Sequence, residues 1–137
     1  IRQGDPLSPF LFILCAEALV NCLNHSEANG RINGIRLAAT GPSVHHLLCA
    51  DDSLLMCRAS VEDALEISRC LKLYGDASGQ MINQQKSSII FGSNVPEEIK
   101  MEVKVALGIH TEGGEGSYLG LPECFSGSKR KFLSFLR

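Results

Sequence analysis

The segment "LLCADDSLLMC", Leu47–Cys57, sets two adjacent carboxylates between two apolar runs. Burying a carboxylate without a partner costs several kcal/mol or forces its pKa to shift. The runs therefore read as two strands, Val44–Ala50 and Ser53–Arg58, joined by the acidic pair in a tight connection. Their near-continuous apolar character predicts strands covered on one face and partly on the other. The connection has no Gly, so Ala50 and Asp51 carry any positive φ, a strain more usual at functional sites. Two readings stay open for Asp51 and Asp52. Asp is common in tight turns because its side chain bonds nearby backbone. A hairpin tip also gathers several carboxylate oxygens, which suits hard cations such as Mg²⁺ (or Mn²⁺) held together with substrate phosphates. Phosphoryl transfer assisted by two ions is the chemistry that fits the second reading.

The flanking chain reads as helices and further strands. A helix is expected over 8–24, with Ser8 as cap and Pro9 in the first turn. Leu11, Leu14, Cys15, Ala18, Leu19 and Cys22 line its apolar face. A loop over 25–34, a strand at Ile35–Ala38 and a turn at Thr40–Ser43 lead to the acidic hairpin. A second helix over 61–74 is capped by Ser60, carries Ala64, Ile67, Leu71 and Tyr74 as its stripe, and ends at Gly75 and Gly79. Ser87–Phe91 reads as a strand, and a third helix runs from Pro96 to Leu107, stopped by Gly108. A strand lies around Tyr118–Leu121 and a last helix begins near Ser128. The fold class is α+β, helices packed on an antiparallel sheet.

Composition narrows the class without naming the chemistry. An apolar share of 45% with 20% charged residues is ordinary for a globular protein. A net charge of −2 gives no electrostatic pointer to nucleic acid. The only basic run is Lys129, Arg130 and Lys131. Cys15, Cys22, Cys49, Cys57, Cys70 and Cys124 form no CxxC pair and lie mostly in apolar stretches, so free buried thiols in an intracellular protein are expected, with no signal peptide or membrane span. His45 and His46 precede Cys49, but no second cluster completes a zinc site. The chain opens on Ile1 and closes inside the helical pattern "KRKFLSFLR", so it is expected to be an internal piece of a longer protein.

Four segments in order, "RQGDPLSPFLFILCAEAL" (Arg2–Leu19), "ADDSLL" (Ala50–Leu55), "SGQMINQQKSSIIFG" (Ser78–Gly92) and "YLGLP" (Tyr118–Pro122), resemble the reverse transcriptases of plant-type non-LTR (LINE-type) retrotransposons. The resemblance implies a polymerase palm over 1–109, with 110–137 forming the palm end and the start of the thumb. It implies an RNA-directed DNA polymerase that extends a DNA primer on an RNA template with dNTPs and Mg²⁺. Asp51 and Asp52 become the metal-binding catalytic carboxylates. Lys86 is implied to protonate the leaving pyrophosphate or steady its charge. Arg2, Gln3 and Gly4 match the segment along the template and incoming nucleotide, where Gly lets the backbone approach closely. Tyr118, Leu119 and Gly120 match the hairpin that grips the primer. The rest of the retrotransposon polyprotein is an implied partner, no membrane is, and the parent element is expected to act in the nucleus.

Two departures accompany the resemblance. The family usually has Phe or Tyr two positions before the first aspartate of the pair, where this chain has Cys49. A void under the hairpin is expected there, of the kind that costs ~2–5 kcal/mol when a large buried side chain is cut down. The family's other metal-binding aspartate and its fingers lie ahead of the "RQGDPLSP" segment, so the palm is expected to be incomplete and residues 1–137 alone inactive. The alternative is a catalytically inactive retrotransposon remnant, at most a nucleic-acid-binding or scaffold piece.

Overall fold

The computed structural model describes residues 4–36, 38–50, 52–113, 117–118 and 121–122. The chain is mixed helix and strand, as the α+β reading requires. The first helix, α1 (Ser8–Ala28), is entered through an Asx turn in which Asp5 Oδ1 accepts the Leu7 N–H at 2.9 Å. Ser8 lies inside the helix and makes no cap; Asp5 supplies the acceptor one turn earlier. The helix also runs four residues beyond its expected end, into the segment read as loop.

Among the described residues six short strands and two more helices follow. β1 (Ile35–Arg36) pairs antiparallel with β2 (Ser43–Val44), and β3 (His46–Cys49) pairs antiparallel with β4 (Asp52–Leu55). α2 (Val61–Ser78) and α3 (Glu97–Leu107) precede β5 (Ser117–Tyr118) and β6 (Leu121–Pro122), a third antiparallel pair. Ser60 caps α2 as expected, its Oγ accepting the Asp63 N–H at 3.2 Å. α2 passes through Gly75 and stops at Gly79, whose φ of +74° ends it in the left-handed region. Gly108, φ +68°, ends α3 where the sequence places the stop.

The described strands form three separate two-stranded sheets rather than one continuous antiparallel sheet. The strand expected at Ser87–Phe91 is reduced to a single parallel bridge, Ile89 with Glu112, held by Ile89 N–H to Thr111 O at 3.0 Å and Gly113 N–H to Ile89 O at 2.9 Å. The final helix expected near Ser128 lies outside the described residues.

The core forms where α1, α2 and the segment between them meet. Leu19, Leu23, Ile32, Ile67 and Cys70 are buried together, with Cys22, Leu55, Cys57, Leu71, Tyr74 and Leu107 packed around them. Of the expected stripe of α1, only Leu19 and Cys22 reach the core. Leu11, Leu14, Cys15 and Ala18 are exposed, because α2 covers the later turns of α1 and nothing described covers the first. By length and composition alone α1 is long and apolar enough to cross a membrane, which the expectation of no such segment did not anticipate. Among the described residues Cys15, Cys22, Cys49, Cys57 and Cys70 are free thiols, but only Cys70 is buried; Cys22 and Cys57 are half-buried, and Cys15 and Cys49 are exposed, unlike the expectation.

Candidate active site

The acidic hairpin forms, with strands shorter than expected and its connection one residue earlier: Asp52, read as half of the joining pair, is the first residue of β4. Cys49 stands opposite Asp52, Leu48 opposite Ser53, Leu47 opposite Leu54 and His46 opposite Leu55. Two residues, Ala50 and Asp51, therefore connect the strands. Ala50 has φ +52° and is the one non-Gly residue with positive φ among the described residues. A two-residue hairpin of this kind needs positive φ that Gly or Asn would supply with little strain. Ala50 takes it instead, and strain of about 1–3 kcal/mol held in such a place points to a functional tip.

The hairpin is covered at its base and open at its tip. Along β3, His46 and Leu48 are half-buried while Leu47 and Cys49 are exposed, so one face alone is covered, less than the apolar run predicts. In β4, Asp52 and Ser53 are exposed while Leu54 and Leu55 are half-buried. Leu55 and Cys57 pack on the core, and burial, reinforced by the nearby Asp63 carboxylate, pushes the Cys57 thiol up to about 11. The expected void beneath Cys49 is absent: its side chain is on the exposed face, so cysteine there removes no buried contact.

The remaining expected site residues divide by whether the structure describes them. Arg2, Gln3, Asp51, Leu119 and Gly120 lie outside the described residues. Gly4 has φ +87°, a backbone conformation that favours Gly, with open space where a Cβ would stand. Lys86 is exposed at the end of a turn in which its N–H donates to Asn83 O at 3.1 Å and Asn83 Oδ1 at 3.2 Å. The backbone of Tyr118 pairs with Leu121 across the β5–β6 hairpin. Among the described residues no hydrogen bond or ion pair joins Gly4, Asp52 and Lys86 to one another. No group of three or more His, Cys, Asp or Glu side chains is placed to hold a metal ion among them. A carboxylate at an open hairpin tip offers oxygen donors only, which fits a hard divalent cation better than zinc.

Sequence reading missed two polar clusters, one at the base of the hairpin and one between α1 and α2. His45, 5% exposed, puts Nε2 at 3.1 Å from Asn24 Oδ1 and 3.4 Å from Glu27 Oε2 on α1, and its Nδ1 is 2.8 Å from His46 Nδ1. The two histidines were visible in the sequence only as metal candidates, and their separation from Asn24 hid the contact. On α2, the Arg69 guanidinium donates to both Glu66 oxygens at 2.7 and 2.8 Å, and Ser26 Oγ donates to Glu66 Oε1 at 2.7 Å. Arg69 and then Ser26, against the opposing effect of burial, hold Glu66 down at about 2.

Two comparisons with known proteins match this chain. The family model described as "Reverse transcriptase (RNA-dependent DNA polymerase)" matches residues 1–134. An uncharacterized mitochondrial protein of Arabidopsis thaliana is 51% identical over 53 residues, which are 39% of this chain and 43% of that protein. The match thus spans less than half the length of this relative. No solved structure matches the chain.

Proposed function

This chain belongs to the reverse transcriptase family, and from that premise we propose that the β3–β4 hairpin is the metal-holding edge of a polymerase palm. The reaction is transfer of a nucleotide from a dNTP to a DNA 3′-OH on an RNA template, in a plant-type non-LTR retrotransposon enzyme. The observation that carries the reading is the two-residue connection between Cys49 and Asp52, with Ala50 held at φ +52°. Asp52, exposed at the start of β4, follows that connection directly, which supports a role for the acidic pair at the hairpin's open end.

Asp51 and Asp52 would hold divalent ions, Mg²⁺ in preference, through oxygen donors. Bound there, the ions supply charge neutralisation for the attacking 3′ oxygen and for the leaving pyrophosphate. Lys86, exposed in its turn, delivers positive charge or a proton to the pyrophosphate. Arg2, Gln3 and Gly4 lie along the template and nucleotide; the positive φ of Gly4 supports a close backbone approach there. Tyr118, Leu119 and Gly120 steady the primer strand, a role supported by the tight β5–β6 pairing.

The test is template-dependent incorporation of dNTP by a polypeptide that carries this chain together with the upstream palm strand of the family. Activity dependent on Mg²⁺ and abolished by Asp51→Asn supports the reading. Full activity in Asp51→Asn would mean that another group holds the ion. Residues 1–137 by themselves are expected to incorporate nothing, since the resemblance puts the other metal-binding aspartate ahead of Arg2.

A further inference from the structure

We propose that His45 is the positioning residue of the acidic hairpin, anchoring its base to α1 through a single chain of hydrogen bonds; the functional part of this inference rests on the polymerase reading above. His45 immediately precedes β3, and its carbonyl accepts the Met56 N–H at 2.9 Å, just past the end of β4. The residue thus closes the open end of the hairpin whose far end carries Asp51 and Asp52. Its ring is buried, so both nitrogens need partners or cost free energy.

The partners fix the proton positions. Asn24 Oδ1 only accepts, so the His45 nitrogen bonded to it at 3.1 Å, Nε2, carries the proton, and the Glu27 carboxylate 3.4 Å away favours the same N–H by its charge. His45 Nδ1 is then the bare acceptor, and His46 Nδ1 at 2.8 Å donates to it. The chain runs from His46 through His45 to Asn24 and Glu27, with Glu17 near His46 as the other charged group that faces the pair from α1. Each group accepts or donates in one direction only, so the arrangement has one low-energy form. An added proton fits on His46 Nε2 without breaking a bond.

The consequence is mechanical. The tip residues Cys49, Ala50, Asp52 and Ser53 are exposed and meet no described support, so the direction of the tip is set at the base. A site built on such a lever needs its base held, because small misplacements of catalytic groups lower rates strongly.

The experiment uses the 137-residue chain, ¹⁵N-labelled. Histidine ¹⁵N shifts are expected to show His45 as the Nε2–H tautomer and His46 as Nδ1–H at neutral pH; the reverse assignment for His45 would overturn the proposal. Amide exchange across β3–β4 is expected to speed about tenfold in His45→Phe and in Glu27→Leu, with α2 and α3 changed less than about twofold. Glu27→Gln, which keeps an acceptor, is expected to restore most of the protection. Unchanged hairpin exchange in both disruptive variants, or equal loss across α2 and α3, would sink the anchor. If His45→Phe does not fold, the Glu27→Leu and Glu27→Gln pair decides alone. Exchange needs no bound metal or activity, so its outcome stands apart from the polymerase reading, which fails separately if Mn²⁺ leaves the tip amides of the unaltered chain unbroadened.

Discussion

Asp63 Oδ2 accepts the backbone N–H of Asn33 at 2.7 Å, joining the first turn of α2 to the loop that follows α1. The same carboxylate receives Ser60 Oγ–H at 2.7 Å and the Arg58 guanidinium at 3.1 Å, and it is only 1% exposed. A buried charge of this kind is tolerable because every side of it meets a donor. Arg58 N–H in turn donates to Asn33 O at 3.0 Å, so the segment that follows β4 is tied to the same loop. Asp63 thereby holds together the three segments from which the hairpin rises.

Replacing that carboxylate leaves several donors unpaired in the interior. Asp63→Ala is expected to lower stability by about 3 kcal/mol, since each stranded buried group costs roughly 1–3 kcal/mol. Urea denaturation followed by circular dichroism measures it. A loss below about 1 kcal/mol would mean that the carboxylate is not the hub of this junction.

Stability should fall in acid, in two stages. Burial lowers the affinity of His46 for a proton, helped by His45 and opposed by Glu17 and Glu27. Its folded pKa lies below the unfolded value, so its contribution is present above about 6.5 and is lost as pH falls below that. Arg69, then Ser26, hold Glu66 near 2 against burial, and donors from Ser60, Asn33 and Arg58 outweigh burial at Asp63. These carboxylates stabilise above their ordinary range, and that contribution disappears as pH falls from about 4.5 toward 2. Urea midpoints measured from pH 7 to 3 should decline throughout, and Glu66→Gln should flatten the lower part. A midpoint that rises on acidification would contradict the assignment.

The two ends of α1 should answer differently to the same truncation. Leu23, wholly buried, is expected to cost about 2–5 kcal/mol as Leu23→Ala, from lost burial and the cavity left behind. Leu14, 67% exposed, should cost less than about 0.5 kcal/mol as Leu14→Ala. Comparable losses would show that the first turns of α1 are covered.

Cys49→Phe separates the expected void from the observed exposure. Because the side chain is on the open face of β3, the variant should change stability by no more than about 0.5 kcal/mol. A clear gain in thermal midpoint would restore the void.

How much of this was legible in the sequence follows from which interactions are local. The caps and stops of α2 and α3 were, because Ser60, Gly79 and Gly108 act on their own turns. The hairpin and the positive φ at Ala50 were, because a two-residue connection without Gly forces the strain onto its own residues. The buried half of α1 was not. Periodicity tells which positions share a face, but where α2 reaches along that face depends on packing 40 residues away, as in the Ser26–Glu66 bond. The split into three small sheets and the loss of the strand at Ser87–Phe91 escaped for the same reason, since pairing partners are not written locally. The His45 anchor was hidden because its partners Asn24 and Glu27 lie on α1, some twenty residues away in the chain.

The direct test of the central claim is where a divalent ion binds on this chain. In a Mn²⁺ titration followed by amide resonances, Ala50, Asp51, Asp52 and Ser53 should broaden first and together, and Asp51→Asn should abolish the effect. Broadening confined to other carboxylates, or unchanged in Asp51→Asn, would remove the acidic hairpin from the chemistry.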